Sequence, residues 1–272
     1  MNEKVFLLHP GEMGTSIGSA LISNKKEVIW ASQNRSRETK KRASKNQFVD
    51  KGTLEKAVSY SDHVIAVCPP AAATEIALLI KEAGFRGIYV EANAISPKTA
   101  LKIQKLIGTK FVDGGIIGPP AWRNGYTRLY LSGKHSKEVA SWFKGTLVDA
   151  RSIQNSASAL KMGYAAYTKG SSALILSIRA LAKKYGVEDA LMEEWQMSQP
   201  GLKERSEFSA KATAKKAWRF EGEMVEIAKT FLDANLPGGF HEAAAEIYER
   251  MSDLKDSNEE VNVESVTKRI LN

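Results

Sequence analysis

The 272 residues are 43% hydrophobic, enough for a sizeable core, and the length suits one large or two ordinary domains, of which two are expected. A net charge of +8 and an isoelectric point near 9.3 would suit a nucleic-acid binder, but the basic residues are scattered and no motif with interleaved aromatics appears, so small anionic ligands are the expected partners. The single cysteine excludes an intrachain disulfide, the four histidines lack metal-ligand spacing, and no apolar run is long enough for a membrane. A first strand beginning near Lys4 leaves no room for a signal peptide, so the expected location is cytoplasmic.

The run VFLLHPGEMGTSIGSAL reads as an apolar strand, a glycine-bearing turn and a helix. This arrangement receives a dinucleotide pyrophosphate on the helix's unpaired N–H groups. Gly11 lets backbone approach the phosphates, Gly14 lets the helix pack on the strand, and Glu12 and Met13 lie between them. Against GxGxxG, His9 stands in the first glycine's place with Pro10 after it, so the tight turn is expected to form without that glycine. A second strand, EVIWAS, ends about 20 residues on, where the adenosine ribose belongs. Asn34, Arg35 and Ser36 follow it, where an NAD site would carry a carboxylate. A guanidinium beside a hydroxyl suits a 2′-phosphate, so NADP is the expected cofactor ahead of NAD. Arg37, Lys40 and Lys41 add positive field, although singly they read as solvated charges opening a helix.

Strand-like runs recur at HVIAVC, IYVEA, KFVDG and RLYLSG, alternating at first with helices. That order predicts a Rossmann domain, a mostly parallel, doubly wound α/β sheet, over residues 1–153. Strand ends at Cys68, Pro69, Pro70 and at Asn93 are expected beside the nicotinamide ribose. Taken alone, Cys68 reads as a small buried core residue and the prolines as loop stiffeners. Beyond Ile153 the pattern turns helical, predicting an all-α domain over 154–272. Helices are expected over 156–185, stopping at Gly186, then over 187–194, 204–234 with a break, and 240–254, with the amphipathic VESVTKRIL last.

Four blocks together resemble the β-hydroxyacid dehydrogenase family, relatives of 6-phosphogluconate and 3-hydroxyisobutyrate dehydrogenases, over essentially the whole chain. They are HPGEMGTSIGSAL, the pair VCPPAAATEIA and VEANAISPKTA, FVDGGIIGPPAWRNGYTRLYLSG, and SASALKMGYAAYTKG. The stretch WRFEGEMVEIAKTFLDANLPGGFHEAAAEIYERM is similar to a subgroup whose second domain has no assigned function. The resemblance implies a 6-phosphogluconate dehydrogenase-like C-terminal domain, a homodimer formed through the helical domains, and hydride transfer at a hydroxyl-bearing carbon. It also implies one lysine as general acid and base, here Lys161. A lysine partly desolvated between domains would exchange the substrate proton and stabilise alkoxide character.

The family's asparagine four residues after that lysine is Ala165 here, and its substrate-loop serine is Ile117. Tyr164 and Thr168 share the helix face of Lys161 by spacing and, with Lys169, are candidate replacements. Backbone amides of Gly114 and Gly115, beside Ile116, are expected to grip a substrate oxyanion, with Trp122 and Arg123 beyond. Arg219 and His241 are further candidates, although a salt bridge with Glu223 is the simpler reading of Arg219 and His241 is also readable as a helix cap. The expected substrate is a small hydroxy acid or sugar-acid-like anion. The alternatives are an imine reductase of the same fold, against which Lys161 weighs, and a catalytically silent NADP-binding sensor.

Overall fold

In a computed structural model, which describes residues 3–272, the chain divides into two compact units, one up to Met162 and one from Gly163 to Asn272. The first holds β1 (Lys4–Leu8), α1 (Glu12–Ser23), β2 (Glu27–Trp30), α2 (Arg37–Lys45), β3 (Val49–Asp50), α3 (Leu54–Ser59) and β4 (His63–Ala66). It continues through α4 (Ala73–Glu82), β5 (Ile88–Glu91), α5 (Pro97–Ile107), β6 (Phe111–Ile117), β7 (Thr127–Ser132), α6 (Ser136–Ser141) and β8 (Val148–Ser152). Helix α7 (Ala157–Tyr185) then runs across the division.

The strands form one sheet in the order β3-β2-β1-β4-β5-β6-β7-β8, parallel except where β7 runs against β6. Both faces are buried, and the period of two in β1 shows how. Val5 and Leu7 enter a core shared with Ile17 and Leu21 of α1, Ala43 of α2, Val139 of α6 and Trp142 just after it. Phe6 and Leu8 enter the opposite core with Val58 of α3, Ala77 and Ile80 of α4 and Ile103 of α5. This is the expected doubly wound sheet. The strand order reverses between β1 and β4, and in such sheets a ligand lies beyond the carboxyl ends of the strands at that point.

The second unit is helical: the rest of α7, then α8 (Glu188–Ser198), α9 (Leu202–Thr213), α10 (Ala217–Asp233), α11 (Gly239–Glu249) and α12 (Val263–Leu271). The break expected within 204–234 is a 3-10 turn at Ala214–Lys216. The division falls within α7, nine residues beyond the expected boundary at 153, because the helix's first turns are held by the sheet. Asp113 of β6 accepts through Oδ2 from the hydroxyls of Ser132, Ser156 and Ser158 and from the Ser158 N–H. Among the described residues, no helix is long and apolar enough to cross a membrane.

Candidate active site

β1 ends at Leu8, and His9 turns the chain with φ +65°, the left-handed conformation that the missing glycine would adopt freely. The Gly11 N–H closes the turn on the His9 carbonyl at 2.8 Å, and α1 begins with Gly11 as an N-cap lacking a side-chain bond. Two glycines show what the loop is built for. A Cβ on Gly14 would come within 2.3 Å of the His9 carbonyl oxygen, so only glycine lets α1 start this close to the strand. A Cβ on Gly11 would meet nothing within 4 Å among the described residues, leaving open space over the helix N-terminus beside Glu12 and Met13. Open space there, an uncapped helix start and a guanidinium nearby fit a dinucleotide.

That guanidinium belongs to Arg35. The segment after β2 turns through Asn34, at φ +58°, and brings Arg35 Nη1 to 3.1 Å from His9 Nε2. Burial, followed by the Arg35 charge, lowers the His9 pKa to about 4, so the ring is neutral and Nε2 accepts. Burial also lowers the Arg35 pKa. Ser36 is the N-cap of α2, its Oγ accepting from the Thr39 N–H at 3.2 Å. Arg42 ties α2 to the first loop through Nε to the Pro10 carbonyl at 3.3 Å, while Arg37, Lys40 and Lys41 are exposed.

Across the switch point, β4 stops at Ala66, so Cys68 lies half-buried beyond the strand end and not inside the core strand. Asn93 is buried, and both ends of its amide face Cys68: Oδ1 accepts from the Cys68 N–H and Nδ2 lies 3.2 Å from the sulfur. Asn93 therefore braces the loop that carries Pro69 and Pro70. Burial, then the nearby Glu91 carboxyl, pushes the Cys68 pKa up to about 12 and leaves a protonated, weakly nucleophilic thiol. Behind Asn93 stands a group that sequence reasoning missed. Glu91 is fully buried, takes the Asn93 N–H on Oε1 at 3.0 Å and faces the Tyr89 hydroxyl at 3.3 Å. Burial is the main cause of a Glu91 pKa raised to about 8, so the carboxyl is protonated at neutral pH. Its one signal in the sequence is a carboxylate between Val90 and Ala92 in an otherwise apolar strand.

Gly114, Gly115 and Ile116 lie within β6, opposite Leu131, Tyr130 and Leu129 of β7. The two glycines thus lie in a strand and not in the expected loop, where their missing side chains serve packing. A Cβ on Gly115 would stand 2.8 Å from the Ala157 carbonyl oxygen and 3.0 Å from Lys161 Cβ. The missing side chain lets the first turns of α7 lie on β6 and sets half-buried Lys161 against the strand. Trp122 and Arg123 are exposed.

In the helical unit, Tyr164 is exposed and the Thr168 hydroxyl donates to the Tyr164 carbonyl at 3.1 Å, while Ala165, in the asparagine's place, is fully buried. Lys169 pairs with Glu223 of α10 at 2.8 Å with both side chains largely buried. That pairing corrects the expected Arg219–Glu223 bridge: Arg219 is exposed, with its guanidinium carbon 5.4 Å from the Phe220 ring centre. His241 is the third residue of α11, its ring 4.2 Å from that of Phe231, so it packs instead of capping. Burial lowers its pKa, and Nδ1 has no hydrogen-bond partner among the described residues.

Residues 4–94 match the family model described as NADP oxidoreductase, coenzyme F420-dependent, and residues 182–251 match a domain of unknown function, DUF1932. An uncharacterized 28.5 kDa protein of Methanothermus fervidus is 34% identical over 188 residues, covering 67% of this chain and 72% of that protein. A conserved protein of unknown function, reported as structurally similar to 3-hydroxyacid dehydrogenases, is 28% identical. It superposes with a TM-score of 0.66 over 93% of this chain and 98% of its own. A 3-hydroxyisobutyrate dehydrogenase of Mycobacterium tuberculosis shares the fold at 13% identity and TM-score 0.69, over 98% of this chain and 99% of its own.

Proposed function

The chain belongs to the β-hydroxyacid dehydrogenase-like proteins that join an NADP-oxidoreductase domain to a DUF1932 domain, and from that premise we propose an NADP(H)-dependent oxidoreductase acting on a hydroxyl-bearing carbon of a small hydroxy acid or sugar-acid-like anion. The observation that carries this reading is the placement of Lys161 against Gly115 of β6, in the same unit as the α1 N-terminus and Arg35. Bound NADP(H) would supply or accept the hydride. Lys161 Nζ would take the substrate hydroxyl proton in oxidation and return it in reduction, and its positive charge would stabilise developing alkoxide. Arg35 would hold the 2′-phosphate, the α1 N-terminus the pyrophosphate, and the braced Cys68–Pro70 loop the nicotinamide side.

We further propose that α7 pairs with α7 of a second copy. Tyr164, Tyr167, Leu174, Leu181 and Tyr185 are exposed at spacings that, with Ser171 and Ile178 between them, repeat every three and four residues as in a coiled-coil seam. The row has tyrosines at both ends and Leu174 near its middle, so an antiparallel copy would meet a similar surface.

Titration with NADPH and NADH, followed by protein fluorescence quenching, tests the cofactor assignment. Tighter NADPH binding is expected; absence of binding by either overturns it. Turnover of hydroxy acids with NADP is the expected next result. Imine reduction without hydroxy-acid turnover would favour the imine reductase, and tight NADPH binding without turnover of either class would favour the sensor.

A further inference from the structure

We propose that His9 is a specificity-determining positioning residue, whose ring nitrogen, 3.1 Å from the guanidinium, holds Arg35 toward a cofactor 2′-phosphate; the proposal rests on the NADP reading above. The position calls for a glycine. At φ +65° a side chain bears a conformational cost that glycine avoids, and imidazole lacks the short oxygen by which Asn and Asp offset it locally. What the imidazole adds is an acceptor. Nε2 lies 3.1 Å from Arg35 Nη1, and the hydrogen bond links the turn after β1 to the turn after β2, across 26 residues of chain. Of the guanidinium's N–H groups, this one is committed to the ring, and the remainder, which make no other hydrogen bond among the described residues, stay available to an anion.

The geometry has a second anchor. Arg42 Nε donates to the carbonyl of Pro10, next to His9, so the first loop is tied to the turn after β2 at the ring and to the following helix α2 at its backbone. Because His9 is neutral, its lone pair draws Arg35 inward without competing as a fixed negative charge would. An Asp or Glu at the same place would neutralise the guanidinium that the phosphate needs. His9 therefore orders a long, flexible cation before the ligand arrives, which reduces the ordering cost of binding. Only a cofactor bearing the 2′-phosphate gains from that ordering.

The test is a thermodynamic cycle read in binding. Dissociation constants for NADPH, NADH, adenosine 2′,5′-bisphosphate and 5′-AMP are measured for the parent, His9→Gly, Arg35→Ala and the double variant. The expected result is a roughly tenfold loss in the NADPH-over-NADH ratio, and in the bisphosphate-over-AMP ratio, for His9→Gly. No further loss is expected when Arg35→Ala is already present. His9→Gly restores the residue the turn favours, so folding is protected, and His9→Asn, which tolerates this backbone and offers an amide oxygen, should recover part of the ratio. A parent with no NADPH preference overturns the cofactor reading and this inference together. A parent preference that Arg35→Ala abolishes and His9→Gly leaves intact overturns this inference alone. Equal weakening of both dinucleotides by His9→Gly also overturns it, since a purely structural role of the turn would not separate them.

Discussion

In the N-terminal unit the apolar side chains fill two cores on the faces of the sheet, while the strand ends present an uncapped helix start and a guanidinium. In the C-terminal unit two largely buried cations are paired within it, Lys169 with Glu223 and Arg179 with Glu188, and Arg179 also donates to the Ser206 hydroxyl. Large apolar side chains of α7 stand in solvent. A surface of polar donors suits a small anion, whereas a row of Leu and Tyr suits another protein chain. In the proposed reading the chemistry belongs to the first unit, and replacing Lys161 is the sharpest way to break that contrast. Lys161→Ala should lower kcat about a thousandfold while leaving NADPH affinity nearly unchanged, measured by steady-state turnover beside the binding titration. Retention of more than about a tenth of kcat would move the acid–base role elsewhere.

The polar interior of the first unit has one costly member. Glu91 keeps its proton in the folded state up to about pH 8, whereas the unfolded carboxyl loses it near 4.5. Its contribution to stability is therefore fully present below pH 4.5 and declines as pH rises toward 8. Glu91→Gln keeps a neutral acceptor for the Asn93 N–H and removes the titration. Between pH 5 and pH 9 the stability of the parent should fall relative to the variant by about 4 kcal/mol, read from urea unfolding at each pH. Parallel curves would show that Glu91 does not titrate in this range.

On the other side of the comparison, Leu174→Lys tests the exposed face of α7. A charge near the middle of a self-paired seam is met twice, once from each copy, so dissociation should be strengthened about a hundredfold, seen by sedimentation velocity across micromolar concentrations. A parent chain that sediments as a monomer would remove the dimer. It would also leave the apolar face of the second unit as a surface for a different protein.

The same contrast explains what could be read from the sequence. The principal strands and the first helix were legible because alternating burial and the HPGEMG turn are local signals. β3, with two residues, and β8, with three exposed residues in five, lie at the sheet edges and carry little pattern. The geometry of the candidate site was legible where backbone makes it, as in the close packing at Gly14, and opaque where tertiary neighbours decide. That Lys169 and not Arg219 meets Glu223 depends on the register of α7 against α10, which the spacing within one helix does not encode. The burial of Glu91 likewise depends on its strand neighbours β4 and β6, far away in sequence.

Ser36 carries the smallest effect and divides the two readings of a single hydroxyl. Its Oγ already accepts from the Thr39 N–H, satisfying an orphan donor at the start of α2. Ser36→Ala should cost about 1 kcal/mol and lower the melting temperature by roughly 3 °C. Ser36→Asp keeps the cap and recovers the stability, but sets a carboxylate beside Arg35 where a 2′-phosphate would bind. If Ser36→Ala lowers melting and leaves the NADPH-over-NADH ratio unchanged, the hydroxyl serves the helix alone. If the ratio falls as well, one oxygen both caps α2 and donates its proton to the phosphate, with the Thr39 hydroxyl, 3.2 Å away, then acting as donor to it.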